Sequence, residues 1–143
     1  MINFITGIES TSAALQAERV RMAVASQNIA NANTTRGLDG LPYQRQSVVF
    51  ESVLAREQDG ISGVEPSKVQ IARIDKDQSG PRMVYNPGHP DADPQSGMVA
   101  MPNVNIHEEM ADMIVSSRAY EANLAVVRNA RAMALQTLEI GKR

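Results

Sequence analysis

Apolar residues recur at intervals of seven along the start of the chain. Ile8, Leu15, Met22 and Ile29 form one row, and Phe4, Thr11, Glu18, Ala25 and Ala32 form the row beside it. Such a repeat predicts one long helix with an irregular seam of coiled-coil type. At 1.5 Å per residue, a helix over 4–32 is roughly 43 Å long, too long to hide inside a small globule. The last third repeats the pattern more strictly, with Ile106, Met110, Met113, Ser117, Tyr120, Leu124, Val127, Arg131, Ala134 and Leu138 at alternating steps of four and three. Pro102 and Asn103 supply a start signal and Gly141 a stop. Glu108, Glu109 and Asp112 near the start and Lys142 and Arg143 at the end follow the polarity that the helix dipole favours.

Between the helices the period shortens. "YQRQSVVFESVLA" reads as a strand entering an undefined segment, and "KVQIARI" and "PRMVYNP" as two short strands. Gly60, Gly63, Pro66, Gly80 and Pro81 mark turns, and the Pro- and Gly-rich "NPGHPDADPQSG" is an irregular loop. The fold expected is mainly α with a small β-containing insert. Residues 1–33 and 103–143 are read as the two terminal helical segments, and 34–102 as the insert between them.

One stretch interrupts the helical grammar. "SQNIANANTTRG" places Asn28, Asn31 and Asn33 at the close of the first helix, followed by Thr34 and Thr35. Asn and Thr side chains compete with helical backbone bonds, and Asn tolerates left-handed conformations that end a helix. Asn28 comes too early to be only a stop. With Asn31 it shares one face between small alanines, which reads as an interface whose amides bond neighbouring subunits.

Composition sharpens the picture. The five aromatics are few for 143 residues, while Met is used eight times, so adaptable packing replaces large rigid burial. Two long apolar seams beside so small an insert exceed what one chain can cover, and uncovered apolar stripes mark interaction surfaces. The net charge of −2, without a basic patch, argues against nucleic-acid binding. No apolar run nears the ~20 residues needed to cross a bilayer, and the N-terminus lacks the pattern of a cleaved secretory signal. The chain has no cysteine, which excludes disulfides and thiolate chemistry.

Candidate chemistry is sparse. His89, Asp91 and Asp93 could be metal ligands, but Asp near Pro is common turn chemistry and the supporting ligands of a hard-cation loop are missing. "HEEM" at His107 lacks the second His four residues on, where Ala111 stands, and no nucleophile elbow or phosphate-cradling loop occurs. The reading is a non-enzyme with no catalytic, metal or cofactor site. A hydrolase using His89, Asp91 and Asp93 is the enzyme alternative, and a cytoplasmic coiled-coil adaptor is the structural one.

With these residues assembled, "SQNIANANTTRG" resembles the N-terminal signature of bacterial flagellar rod and hook axial proteins. "LPYQRQSVVFE", "MVYNPGHPDADPQSGMVAMPNVN" and "EEMADMIVSSRAYEANLAVVRNARAMALQTLEIGK" resemble the proximal rod family of the FlgC type. Met98 stands where relatives are expected to carry an aromatic. The resemblance implies a structural subunit of the proximal rod, the drive shaft that carries motor torque. It further implies export, unfolded, through the flagellar type III apparatus to the periplasmic space, and terminal segments disordered before assembly. Implied partners are copies of itself, other proximal and distal rod proteins, and the adaptor and MS ring at the rod base, without direct membrane insertion. The subunit interface expected on this basis comprises Phe4, Ile8, Leu15, Met22, Asn28, Ile29, Asn31 and Asn33 with Ile106, Met110, Met113, Tyr120, Leu124, Val127 and Leu138.

Overall fold

The computed structural model describes residues 2–37, 39–53 and 68–141. Two long helices dominate it, α1 over Ile2–Ala30 and α2 over Ile106–Ile140. Four strands lie between them in sequence: β1 (Gln46–Val53), β2 (Lys68–Lys76), β3 (Arg82–Tyr85) and β4 (Met98–Met101). The mainly α plan with a β insert is the observed one. The turns expected at Gly60, Gly63 and Pro66 lie outside the described residues, as do the side chain of Phe4 and the basic pair at 142–143.

The helices pack antiparallel. Arg21 meets Asp112 at 3.0 Å, Asn28 meets Glu109, and the N-terminal turns of α1 lie beside Val126–Met133 of α2. Their contact face is not the bulky row that the heptads predict. Ala17, Val24, Ala25 and Asn28 are the fully buried positions of α1, and Glu109 and Ser116 those of α2, among the described residues. Ala25 lies beside Glu109 and Asp112 of α2, whereas Ala17 lines a groove with Lys68–Ile71 of the insert. The row that starts at Glu109 and Ser116 continues at intervals of seven through half-buried Asn123 and Ala130. The Ile8–Ile29 row and much of the Ile106–Leu138 row therefore flank the contact instead of forming it. Ser116 Oγ is buried without a hydrogen-bond partner among the described residues.

Helix α2 begins three residues later than the Pro102–Asn103 signal implies, because Asn105 is its cap. The Asn105 side chain accepts from His107 N at 3.2 Å and donates to Glu108 Oε1 at 2.8 Å, so the first turn is tied from both sides. Helix α1 ends differently from expectation. Apart from glycines, no described residue has positive φ, so neither Asn31 nor Asn33 adopts a left-handed conformation. Instead the last turn tightens, Ala32 N donating to Ile29 O and Thr34 N to Asn31 O. The Asn31 amide reinforces this end by donating to Gln27 O at 2.8 Å.

Strands β1 and β2 form an antiparallel ribbon whose register shifts between Val49 and Phe50. Val48 pairs with Ile74 and Phe50 with Ile71, so Ala72 is the extra residue of a bulge. Without it, Ile71 and Ile74, three apart, would point to opposite faces; the bulge keeps both opposite the Val48–Phe50 side. The ribbon packs against α1, helped by an ion pair between Lys68 and Glu9.

The second ribbon holds a strand the sequence reading did not pick out, β4. It pairs with β3 from Arg82↔Met101 to Tyr85↔Met98, and the Pro-rich loop connects the two. Gly97 closes that loop at φ +66, where an added Cβ would lie 2.9 Å from Tyr85 Cε2. Both the left-handed backbone and the ring contact require glycine. Gly97→Ala should therefore cost about 1–3 kcal/mol, detected as faster hydrogen exchange across residues 86–98. Unchanged exchange would contradict the tight closure.

Candidate functional site

The residues that unite helices and insert form a buried polar junction. It lies where the end of α1, the extended segment before β1 and the first turns of α2 converge. Asn28 is fully inaccessible to solvent, and Glu109 is 2% exposed. A buried amide and a buried carboxylate are costly unless their polar atoms find partners. Here they do.

The Asn28 amide nitrogen donates to Glu109 Oε2 at 2.9 Å and to Gln46 O at 2.8 Å. Its oxygen accepts from Tyr43 Oη at 2.8 Å and from Gln46 N at 2.9 Å. Asn28 thus acts as a piece of strand edge, closing both backbone groups of Gln46 where β1 starts. Glu109 uses its second oxygen to accept from Arg45 Nε at 2.7 Å, a charge-assisted bond that balances the buried carboxylate. Arg45 N donates to Asn103 Oδ1 at 3.0 Å, and Arg45 O accepts from Asp77 N at 2.8 Å. Burial, and next the Glu109 charge, push the Tyr43 hydroxyl above its ordinary pKa, so it keeps the proton it donates to Asn28.

All four hydrogen-bonding positions of Asn28 are occupied within the chain, which leaves none for a neighbouring subunit. Asn31 bonds locally at the helix end, donating to Gln27 O and accepting from Thr34 Oγ1, whereas Asn33 is exposed. The early position of Asn28 did signal a task other than stopping the helix. Its partners Tyr43, Gln46 and Glu109, and Arg45 behind Glu109, escaped the sequence reading because Tyr43 and Glu109 lie 15 and 81 residues away from it and nothing local links them. The available clue was Glu109 heading a heptad row with Ser116, Asn123 and Ala130, a row too small and polar to be a conventional apolar seam.

The Pro-rich loop is fastened to the same region. Asp91 Oδ2 accepts from Thr35 Oγ1 at 2.8 Å and lies near Arg36, while Asp91 N donates to His89 Nδ1. Asp93 accepts from Ser96 Oγ and Gln95 N. These bonds, the Ser96 hydroxyl first, hold the Asp93 carboxyl below its ordinary pKa. The three residues considered as metal ligands are thus engaged in turn and docking contacts. Among the described residues, no group of three or more His, Asp or Glu is placed to hold a metal ion.

The bulky heptad rows present a different surface. Leu15, Met22, Ile29, Met113, Tyr120, Leu124 and Val127 are half-buried, and Ile8, Ile106, Met110 and Leu138 are exposed. On α2 the exposed apolar set is wider than the sequence reading held, adding Ile114, Val115, Val126, Met133, Leu135 and Ile140. No described helix is long and apolar enough to cross a membrane.

Comparison with known proteins matches both ends of the chain. Residues 8–36 fit the family model described as flagella basal body rod protein, and residues 95–140 the model of the flagellar basal body rod FlgEFG protein C-terminal region. The two matches contain Asn28 and Glu109 respectively. The flagellar basal-body rod protein FlgC of Borreliella burgdorferi is 38% identical over 97% of this chain and 98% of its own length. Those of Salmonella typhimurium and Agrobacterium fabrum are 38% and 41% identical over 90% of this chain, covering 91% and 88% of their own lengths.

Proposed function

Since the chain belongs to the FlgC family of flagellar basal-body rod proteins, we propose that it builds the proximal part of the rod through its terminal helices and carries motor torque there. As a family member it is a structural subunit of the basal body. In the proposed arrangement residues 1–33 and 103–143 form the axial helical layer, and 34–102 the outer insert. The subunit leaves the cytoplasm unfolded through the type III apparatus and assembles in the periplasmic space. Its contacts there are with copies of itself, other rod proteins and the base of the rod.

One observation carries this reading. The buried positions of the two helices are taken by Val24, Ala25, Asn28, Glu109 and Ser116, yet bulky rows on both helices remain half or fully exposed. The interface we propose is Phe4, Ile8, Leu15, Met22 and Ile29 with Ile106, Met110, Met113, Tyr120, Leu124, Val127 and Leu138. Each Leu, Ile or Met that becomes fully covered contributes roughly 1.5–3 kcal/mol. Because many subunits repeat that burial around an axis, twist would be resisted by shared area, without any single strong bond.

The test is isolation of hook–basal bodies from the native organism and immunodetection of the chain. It should co-purify and should stay bound through high-salt washing, since apolar contacts are not screened. Retention in the soluble cytoplasm, with none in basal bodies, would overturn the reading in favour of a coiled-coil adaptor.

A further inference from the structure

His89 stands at the centre of the Pro-rich loop. Its N–H donates to Asn86 O at 3.1 Å and its carbonyl accepts from Ala92 N at 3.0 Å, so two successive turns share it. The half-buried ring adds a third bond, in which Nδ1 accepts from Asp91 N at 3.1 Å. A backbone N–H can only donate, so Nδ1 must offer its lone pair. The imidazole is therefore neutral, with its proton on Nε2. This bond fixes the residue that docks the loop. Asp91 Oδ2 accepts from Thr35 Oγ1 at 2.8 Å and Oδ1 lies 3.6 Å from Arg36, both in the turn that follows α1.

We infer that His89 is an acid-sensitive clasp: its neutral ring holds Asp91 against Thr35 and Arg36, and protonation of Nδ1 releases the loop from the end of α1. An imidazolium carries N–H on both ring nitrogens. Its Nδ1–H would meet the Asp91 N–H, donor against donor, and the bond is lost. The charged groups at the turn act in the same direction. These are the Asp91 and Asp93 carboxylates of the loop itself and the Arg36 guanidinium of the dock. Asp93 is already bonded by Ser96 and Gln95, so the imidazolium competes with Thr35 and Arg36 for the Asp91 carboxylate. A contact made only by the unprotonated ring is complete above the titration range of imidazole and is lost as pH falls through it. Histidines take up their proton between about pH 5 and pH 8, whereas carboxylates in water do so near about pH 4. The second histidine, His107, lies in the first turn of α2, outside this loop. The clasp belongs to the chain itself and does not depend on what the chain assembles into.

The test is hydrogen exchange of the full-length chain at about pH 8 and about pH 5.5, on either side of histidine protonation. Wild type is compared with His89→Asn, which keeps an acceptor near the Nδ1 position without titrating, and with His89→Leu, which has none. Ratios between chains at one pH cancel the intrinsic pH dependence of exchange. Across residues 34–37 and 86–92, wild type and His89→Asn should match at the higher pH, and wild type should exchange several-fold faster at the lower. His89→Leu should exchange several-fold faster than His89→Asn at both. Segments containing Asn28 and Glu109 should respond to neither substitution, which shows that the rest of the fold is intact. The same ratio of wild type to His89→Asn at the two pH values would overturn the clasp. So would a His89→Leu chain as protected as wild type at the higher pH, or a wild-type loop without protection there.

Discussion

Asn28→Leu should lower the stability of the folded chain by about 3–5 kcal/mol, the range for breaking a buried charge-containing network by removing one partner. Leucine has a similar volume, so the loss is not one of packing. It would strand the Tyr43 hydroxyl, the N–H and C=O of Gln46, and one oxygen of Glu109, all of which bond Asn28 in the native chain. Each stranded group costs on the order of 1–3 kcal/mol, less where it can turn to water. Gln46 and Tyr43 are partly exposed and can recover some of this, whereas the Glu109 oxygen cannot. The readout is the urea midpoint of the helical circular-dichroism signal. Where the free chain holds little helix, the same deficit is read as the urea concentration that strips it from basal bodies. Asn33→Ala, at an exposed position, should change the free-chain midpoint by no more than about 0.5 kcal/mol. A loss below about 1 kcal/mol for Asn28→Leu would mean the junction does not close as described.

Leu124→Asp should abolish swimming while leaving the isolated chain nearly unaffected. Leu124 is half-buried on the flank of the α1–α2 contact, so an aspartate there can reach water in a single subunit. Against a neighbouring helix the same carboxylate would be desolvated without a partner. That costs several kcal/mol at every copy of the contact. Ile8→Asp on the other helix should behave alike. Soft-agar swimming and basal-body content measure the assembly, with expression level and circular dichroism of the free chain as controls. Full motility of either variant would remove that row from the subunit interface.

The two helices were legible because a period of seven, held over several turns, has few other physical causes. Which row lies innermost was not. The eye follows Ile8, Leu15, Met22 and Ile29, but the buried positions are Val24, Ala25 and Asn28 of α1 with Glu109 and Ser116 of α2. Heptad period alone cannot tell an intrachain face from a flank that lies about 100° away on the same helix. Strands β2 and β3 showed through alternation and β1 through a mixed apolar signal, and β4 did not show. "MVAM" is a short apolar run whose strand character comes from pairing with β3, and pairing is a tertiary fact. The junction was half legible: Asn28 stood out as misplaced in a helix, while Tyr43, Arg45 and Glu109 are ordinary residues until the fold brings them together.

That junction also governs timing. Asn28 and Glu109 are separated by 81 positions, and Arg45 and Glu109 by 64. Contacts so distant along the chain form late, because loop-closure entropy must be overcome before they stabilise anything. A nascent polypeptide emerging from its N-terminus holds Asn28 and Tyr43 early but has no Glu109 until most of its length exists. Until then α1 has neither its antiparallel companion nor a counterpart for its buried amide. The long reach of a single carboxylate thus makes folding an end-of-synthesis event, and keeps the unfinished chain open.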